Sequence, residues 1–89
     1  MAILITTKVK GQTPEGYDQV AAFLHPLIKQ AAGFIMHMAY QGDEDWIVTE
    51  IWDSKEHADQ FFSEKVAPSL PKGIIPKRSY QQIHSLVTA

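Results

Sequence analysis

The chain has 89 residues, a formal net charge of -2, a single arginine and no cysteine. Disulfides and thiolate metal sites are therefore excluded, and the lack of a basic stripe argues against a nucleic-acid partner. The N-terminus has neither a charged leader nor a long apolar run, so we expect no signal peptide and no membrane span. We predict a single domain over residues 1–89, with the cytoplasm as its default location.

The start of the chain predicts a strand followed by a helix. Residues 2–9 are rich in β-branched side chains, which favour a strand, and Gly11 follows them. The pair Thr13 and Pro14 is typical of a helix start, with a threonine as N-cap and a proline at the first helical position. The first helix should therefore begin at Pro14.

The predicted first helix carries one apolar stripe. Its members recur at helical spacing and are Tyr17, Val20, Ala21, Leu24, Leu27, Ile28 and Ala31. Pro26 lies inside the stripe, has no backbone donor and crowds the preceding turn, so we expect a kink or a break near His25. Gly33 is the expected C-terminal stop.

The centre of the chain predicts a β-hairpin that is apolar on both faces. It opens at Gly33, turns at residues 42–44, and its second strand begins at Trp46. Because alternate residues of a strand point to opposite faces, we place these residues of the first strand on one face: Phe34, Met36, Met38 and Tyr40. Ile35 and Ala39 then lie on the other face. Such a sheet needs a cover on both sides.

The rest of the chain predicts a second helix and a last strand. Ser54 is placed to cap the helix, Ala58 and Phe61 to lie on its buried face, and Pro68 to end it. The last strand should span residues 79–87. The resulting β-α-β-β-α-β order predicts a ferredoxin-like α+β fold, a four-stranded antiparallel sheet with two helices on one face. The uncovered apolar face predicts a homodimer.

Residues of the hairpin and the second helix resemble a known family. The Gly33–Phe34 opening, the Val-x-Glu-x-Trp-x-Ser run over residues 48–54, and the Phe61–Phe62 pair before Pro68 are similar to the antibiotic biosynthesis monooxygenase-like group. The resemblance spans almost the whole chain. It implies a protomer that pairs into a dimeric α+β barrel, and an oxygenase chemistry on aromatic substrates that needs no cofactor.

Two enzyme branches of that family suggest site residues. In the quinone-forming branch a tryptophan at the position of Trp52 lines the pocket, with an asparagine and a tyrosine nearby, where this chain has Val48 and Ala58. The heme-degrading branch needs a tryptophan on the second helix and a histidine just beyond it. Here Phe61 takes the place of that tryptophan, and the next histidine in the sequence is His84. The resemblance therefore favours an aromatic or quinol-type substrate over heme.

The register of the hairpin decides where the candidate acid–base residues lie. A loop of two or four residues sets His37 across from Glu50 and Ile35 across from Trp52, with Cβ atoms about 5 Å apart. A loop of three or five residues would put His37 and Glu50 on opposite faces. A carboxylate beside an imidazole fixes its tautomer and raises its basicity, as a general base for a phenolic proton requires. The same pair is also common as a purely structural contact.

The remaining candidates are expected to contact a substrate. His84 on the last strand shares a face with Tyr80, while Phe61 and Trp52 offer aromatic walls for a small aromatic ligand. The four histidines lack metal-ligand spacing, so no metal is expected. We predict a cofactor-independent monooxygenase-like protein with His37 and Glu50 as catalytic residues. The alternative is a non-catalytic, small-ligand-binding or structural homodimer.

Overall fold

A four-stranded antiparallel sheet with both helices on one face forms the protein. The computed structural model describes residues 2–89, and Met1 lies outside it. The elements are β1 (Ile3–Lys10), α1 (Pro14–Ile28), β2 (Phe34–Gln41), β3 (Trp46–Trp52), α2 (Lys55–Phe61) and β4 (Ile75–Gln82). The strand order is β2-β3-β1-β4, which confirms the ferredoxin-like fold. Within the described residues, neither helix is long and apolar enough to cross a membrane.

The core lies between the helices and one face of the sheet. Strand register puts Ile5 and Trp52 on this face, and both are fully buried. The helices contribute the other members of the core cluster, which are Ile28, Ala58 and Phe61. A π-helical turn over Phe62–Val66 and a 3₁₀ turn over Ala67–Ser69 continue from α2 and extend the cover of the sheet. The covered face is therefore the place where a buried site can form.

A β-bulge at the start of β2 corrects the predicted faces of the hairpin. Phe34 pairs with Trp52, but the next pair is Met36 with Ile51, so Ile35 is an extra residue. One inserted residue reverses the alternation of side chains. Phe34 consequently lies on the covered face against the Trp52 ring, with the ring centroids 5.4 Å apart. The predictions that Phe34 shares a face with Met36 and that Ile35 opposes Trp52 were wrong.

Both predicted helix caps are present, but α1 ends differently from the prediction. Thr13 Oγ1 accepts the N–H of Gly16 at 3.0 Å, and Ser54 Oγ accepts that of His57 at 3.2 Å. The helix continues through Pro26 and ends at Ile28, so a break near His25 and a stop at Gly33 were wrong. Pro26 lies in the last turn, where the loss of one intrahelical hydrogen bond interrupts little.

Gly33 has a different role, in the turn that leads into β2. Its φ of +84° lies in the left-handed region, and its carbonyl accepts the N–H of Asp53 at 2.8 Å. A Cβ on Gly33 would lie 2.2 Å from Asp53 Oδ1 and 2.5 Å from His57 Nδ1. A side chain at this position is therefore disfavoured by the backbone conformation, and it would also require the Asp53 and His57 side chains to move.

The last strand begins and ends earlier than predicted. β4 pairs with β1 from Ile75 to Gln82, so the predicted span of residues 79–87 was wrong. Pro76 is tolerated because β4 is an edge strand, where a missing N–H donor can face away from β1. His84 follows the strand in an exposed bend.

The second face of the sheet is partly apolar and has no helix on it. Register places Met38 and Tyr40 of β2 and Ile75 of β4 on this open face, and their exposed fractions are 45%, 51% and 62%. Ile51 in the middle of the same face is buried. The open face therefore has a buried centre and exposed apolar margins.

Candidate functional site

A cavity of about 90 Å³ lies between α1, the covered face of the sheet and the turns after α2. Its apolar wall includes Leu24, Val48 and Phe61. Its polar lining comes from every side: Tyr17 and His25 of α1, His37 of β2, Trp46 and Glu50 of β3, and Arg78 of β4. Its lining, mainly apolar with a few converging polar groups, is that of a small-molecule site, while its volume is below the roughly 300–1,000 Å³ that is usual for one.

His37 and Glu50 meet across the hairpin, as the sequence predicted for a four-residue loop. Gln41 pairs with Trp46 around this loop, which sets His37 opposite Glu50. Nδ1 of His37 lies 2.6 Å from Oε2 of Glu50, and the two side chains are only 16% and 13% exposed. The pair is therefore shielded from solvent, where a charge-assisted hydrogen bond is strong.

Tyr17 completes a chain of hydrogen bonds with this pair. Its hydroxyl oxygen lies 2.6 Å from Nε2 of His37. Burial, followed by the negative charges of Glu50 and Asp18, raises the pKa of Tyr17 to about 12. The phenol is therefore protonated at neutral pH and donates to Nε2. Because the carboxylate of Glu50 can only accept, the hydrogen of the His37 ring is on Nδ1.

Trp52 anchors the other end of the chain. Its indole N–H donates to Oε1 of Glu50 at 2.9 Å, so both oxygens of that carboxylate are bonded. The ring is fully buried between Phe34 and Phe61 and does not line the cavity. Trp52 therefore holds Glu50 in place rather than forming the aromatic wall that the sequence suggested.

His25 extends the chain toward solvent. Its Nε2 lies 3.2 Å from the Tyr17 hydroxyl, and its ring packs edge-on against that of His37 at 5.2 Å. Burial lowers the pKa of His25, and the neighbouring His37 and Lys29 lower it further. A neutral His25 can donate its Nε2 hydrogen to the Tyr17 oxygen. The side chain is exposed and lines the cavity, so it marks the mouth.

Sequence reasoning missed the roles of Tyr17 and His25. Both lie on α1, eight residues apart, so just over two helical turns bring them near one face. The signal was a tyrosine at the start of an otherwise aliphatic stripe that must face the sheet. A phenol in that position needs a polar partner when it is buried.

A second polar cluster lies at the β4 edge of the covered face. The Tyr80 hydroxyl donates to Oδ1 of Asp59 at 2.7 Å, and Lys55 binds Oδ2 at 2.7 Å. Arg78 donates from Nε to the Tyr80 oxygen at 3.2 Å, and its Nη2 lies 3.5 Å from Oδ1 of Asp59. Although burial opposes the shift, the bonds from Lys55 and Tyr80 hold the pKa of Asp59 below its usual value.

The structure brings together only some of the predicted site residues. His37, Glu50 and Phe61 line the cavity, whereas Tyr80 belongs to the β4 cluster and is not in the lining. His84 is exposed beyond β4, so the prediction that placed it on the strand beside Tyr80 was wrong. No group of three or more potential metal ligands occurs among residues 2–89.

The fold matches those of several solved proteins at low sequence identity. SnoaB, a cofactor-independent oxygenase from Streptomyces nogalater, aligns with a TM-score of 0.74 and 10% identity over 99% of this chain and 98% of its own. The heme-degrading protein Rv3592 from Mycobacterium tuberculosis aligns with a TM-score of 0.69 and 17% identity, over 100% and 98%. A protein from Deinococcus radiodurans assigned as an antibiotic biosynthesis monooxygenase gives 0.66 and 12%, over 100% and 98%.

These comparisons confirm the resemblance at the level of the fold. No family model and no curated protein matches the sequence. The matched structures cover nearly the whole chain and include both oxygenases and heme-degrading proteins. The fold alone therefore does not separate these two chemistries.

Proposed function

We propose that this protein is a cofactor-independent monooxygenase-like enzyme that acts on a small aromatic or quinol-type substrate in the cavity beneath the helices. The observation that carries the proposal is the Tyr17–His37–Glu50 chain in the lining of that cavity. The shared fold with a cofactor-independent oxygenase supports it. The proposed catalytic residues are His37 and Glu50, as the sequence suggested, together with Tyr17.

The chain is suited to remove a proton from a phenol. A substrate hydroxyl beside Tyr17 donates to the Tyr17 oxygen, while the Tyr17 hydrogen transfers to Nε2 of His37, which lies 2.6 Å from that oxygen. The resulting imidazolium is stabilised by the Glu50 carboxylate at its Nδ1. His37 therefore acts as a general base through Tyr17. Trp52 keeps Glu50 oriented toward the ring.

The substrate anion then supplies the electrons for oxygen. Electron transfer from the anion to O₂ and recombination form a C–O bond and a peroxide on the ring carbon. Loss of the hydrogen on that carbon and cleavage of the O–O bond give a quinone and one water. One oxygen atom enters the product and the other enters water, so the substrate provides all four electrons. The imidazolium of His37 returns its proton through Tyr17 to the departing oxygen.

Oxygen consumption tests this proposal. The purified protein is given a panel of phenols and quinols, and oxygen uptake is recorded together with quinone absorbance. We expect at least one phenol to be oxidised with one O₂ consumed for each quinone formed. Tyr17→Phe should lower the rate of oxygen uptake at least as strongly as it lowers the affinity for the phenol, because Tyr17 carries the proton from the substrate to His37. An absence of oxygen uptake with every phenol would contradict the proposal.

The second candidate is a non-catalytic binding module of the same fold. Two observations favour it: Val48 and Ala58 are apolar where the quinone-forming branch has polar residues, and the hydrogen bonds of His37 are complete without a ligand. Saturable binding of phenols without oxygen uptake would select this function. Equal affinities of the wild type and Tyr17→Phe for the phenol would then show that the Tyr17–His37–Glu50 chain has a structural role.

We also propose that two copies pair through the open face of the sheet. Exposed Met38, Tyr40 and Ile75 support this pairing. Light scattering at micromolar concentration should report about twice the 10.0 kDa mass of one chain. Met38→Asp should convert the dimer to a folded monomer, whereas Ile51→Asp should unfold the protein because it buries a charge. A monomeric wild type would contradict the pairing.

A further inference from the structure

We propose that the cavity binds an anionic aromatic ligand, a hydroxyarene that carries a carboxylate, with the anion held by Arg78 and an oxygen acceptor bonded to Trp46. This inference names the substrate class for the proposed function and rests on it. Its basis is a pair of buried donors in the lining of the cavity that have no acceptor: Nε1 of Trp46 and Nη2 of Arg78.

Trp46 presents the first free donor. Its side chain is nine-tenths buried at the start of β3, and its ring packs against Tyr17 with the centroids 5.1 Å apart. A buried indole N–H normally finds an acceptor. The contrast with Trp52 is direct, because the N–H of Trp52 is bonded to Glu50. An oxygen of a bound ligand would satisfy Trp46 without any change in the protein.

Arg78 presents the second free donor together with a positive charge. Its side chain is 13% exposed, and its guanidinium packs over the Phe62 ring at 4.2 Å. Asp59 faces both Arg78 and Lys55, so one carboxylate serves two cations and the cluster retains a charge of +1. Oδ1 of Asp59 is already bonded to Tyr80, and it lies 3.5 Å from Nη2 without a hydrogen bond to it.

The charges of the cavity give the ligand an orientation. Among the described residues that line the cavity, Glu50 is the only one with a carboxylate, and Arg78 is the only arginine or lysine. Glu50 lies on β3 next to His37, and Arg78 lies on β4 at the far edge of the sheet. β3 and β4 are separated by one strand, β1, so they stand roughly 10 Å apart. The carboxylate of the ligand is repelled by Glu50 and attracted by Arg78. The ligand therefore places its carboxylate at Arg78 and its phenol hydroxyl at Tyr17.

A pair of probes that differ only in charge tests this inference. 4-Hydroxybenzoate and 4-hydroxybenzamide have the same ring and the same phenol, but only the first carries a carboxylate. Calorimetric titration of the wild type should show the benzoate binding about 10- to 100-fold more tightly, as expected for a charge-assisted hydrogen bond in a buried site. Equal affinities, or no saturable binding of either probe, would overturn the inference.

Three variants locate the preference in the cavity. Arg78→Gln should abolish the preference for the benzoate. Lys72→Gln is the control, because it removes one positive charge from an exposed residue in the turn before β4, outside the cavity and the open face, and it should keep the preference. Trp46→Phe removes one donor and should lower the affinity for both probes about three- to tenfold. If Arg78→Gln does not fold, an unchanged affinity in Trp46→Phe overturns the inference.

The outcome is separable from that of the proposed function. Benzoate binding that depends on Arg78, without oxygen uptake for any phenol, would support the ligand class and contradict the oxygenase. Oxygen uptake with neutral phenols that Arg78→Gln leaves unchanged would support the oxygenase and contradict the ligand class.

Discussion

The two edges of the covered sheet face both carry polar groups, but they differ in how completely these groups are paired. At the β2 side, the groups from Tyr17 to Trp52 form one continuous chain in which every donor has an acceptor. At the β4 side, Asp59 is shared between two cations, and one nitrogen of Arg78 has no hydrogen bond. The hydrogen-bonded chain at the β2 side is complete in itself, whereas Nη2 of Arg78 at the β4 side has no acceptor, and neither does the indole N–H of Trp46 that packs against Tyr17.

This difference indicates a division of tasks within one cavity. A fully paired network holds its side chains in fixed positions, which is what proton transfer between them requires. A buried donor without an acceptor destabilises the protein until a partner is bound. Such a donor is therefore suited to recognise a ligand. We therefore assign proton transfer to the Tyr17–His37–Glu50 chain and ligand recognition to Arg78 with Trp46.

Substitution of the two tryptophans gives the largest expected effect. Trp52→Ala should lower the free energy of unfolding by about 3–5 kcal/mol, because it empties a fully buried site. Trp52→Phe should cost about 1–3 kcal/mol from the unpaired oxygen of Glu50, plus the lost ring volume. Urea denaturation measures both. Trp46→Phe is the control, since its N–H has no partner to lose. Equal costs for the two phenylalanine variants would break the comparison.

The dependence of stability on alkaline pH is the next test of the hydrogen-bonded chain at the β2 side. Burial raises the pKa of Tyr17 to about 12, from its ordinary value of 10.0. Above pH 10 the unfolded state releases this proton and the folded state keeps it, so stability should fall between about pH 10 and pH 12. Tyr17→Phe should lose less stability over this range than the wild type, as measured by denaturation at each pH. An equal loss of stability in Tyr17→Phe and in the wild type over this range would contradict the raised pKa of Tyr17.

The β4 cluster should tolerate the loss of one hydrogen bond better. Tyr80→Phe removes the donor to Asp59 but leaves Lys55 and Arg78 beside that carboxylate. We expect a cost of about 0.5–1.5 kcal/mol in the free energy of unfolding. The measurement is again urea denaturation. A cost as large as that of Trp52→Phe would show that the β4 cluster depends on each of its hydrogen bonds as strongly as the chain at the β2 side does.

The smallest expected effect is a shift in a single titration. Burial and the neighbouring His37 lower the pKa of His25, so its ring should accept a proton only below the ordinary histidine value of 6.5. NMR titration of the ring protons measures this directly. Since the unfolded state binds the proton first, this group should lower stability as the pH falls through that range. A His25 pKa above 6.5 would contradict its place at the neutral end of the chain.

Much of the fold could be predicted from the sequence because its signals are local. The Thr13 and Ser54 caps and the β-α-β-β-α-β order of elements each depend on short stretches of sequence, whereas the length of the hairpin loop was left open between two or four and three or five residues. The bulge at Ile35 could not be predicted, because an inserted residue reverses the faces without a glycine or proline to mark it. The start of β4 was missed because Pro76 argues against a strand unless the strand is known to lie at an edge.

The candidate site was predictable only in part for a similar reason. His37 and Glu50 lie on adjacent strands, so the register alone brings them together. Tyr17 comes from a helix, and its distance to His37 depends on how α1 packs on the sheet. Nη2 of Arg78 lacks an acceptor because the oxygens of Asp59 are already bonded to Tyr80 and Lys55. Such competition between partners appears only in three dimensions.

The most direct test of the account compares oxygen uptake by the wild type, His37→Ala and His57→Ala with a phenol that the wild type oxidises. His57 pairs with Asp53 at the surface, with Nδ1 and Oδ1 2.7 Å apart, so it serves as a matched histidine control. We expect His37→Ala to lower turnover by roughly a hundredfold or more, the usual contribution of a positioned general base. His57→Ala should retain the wild-type rate. Equal turnover in all three proteins would contradict the assignment of the Tyr17–His37–Glu50 chain as the catalytic site.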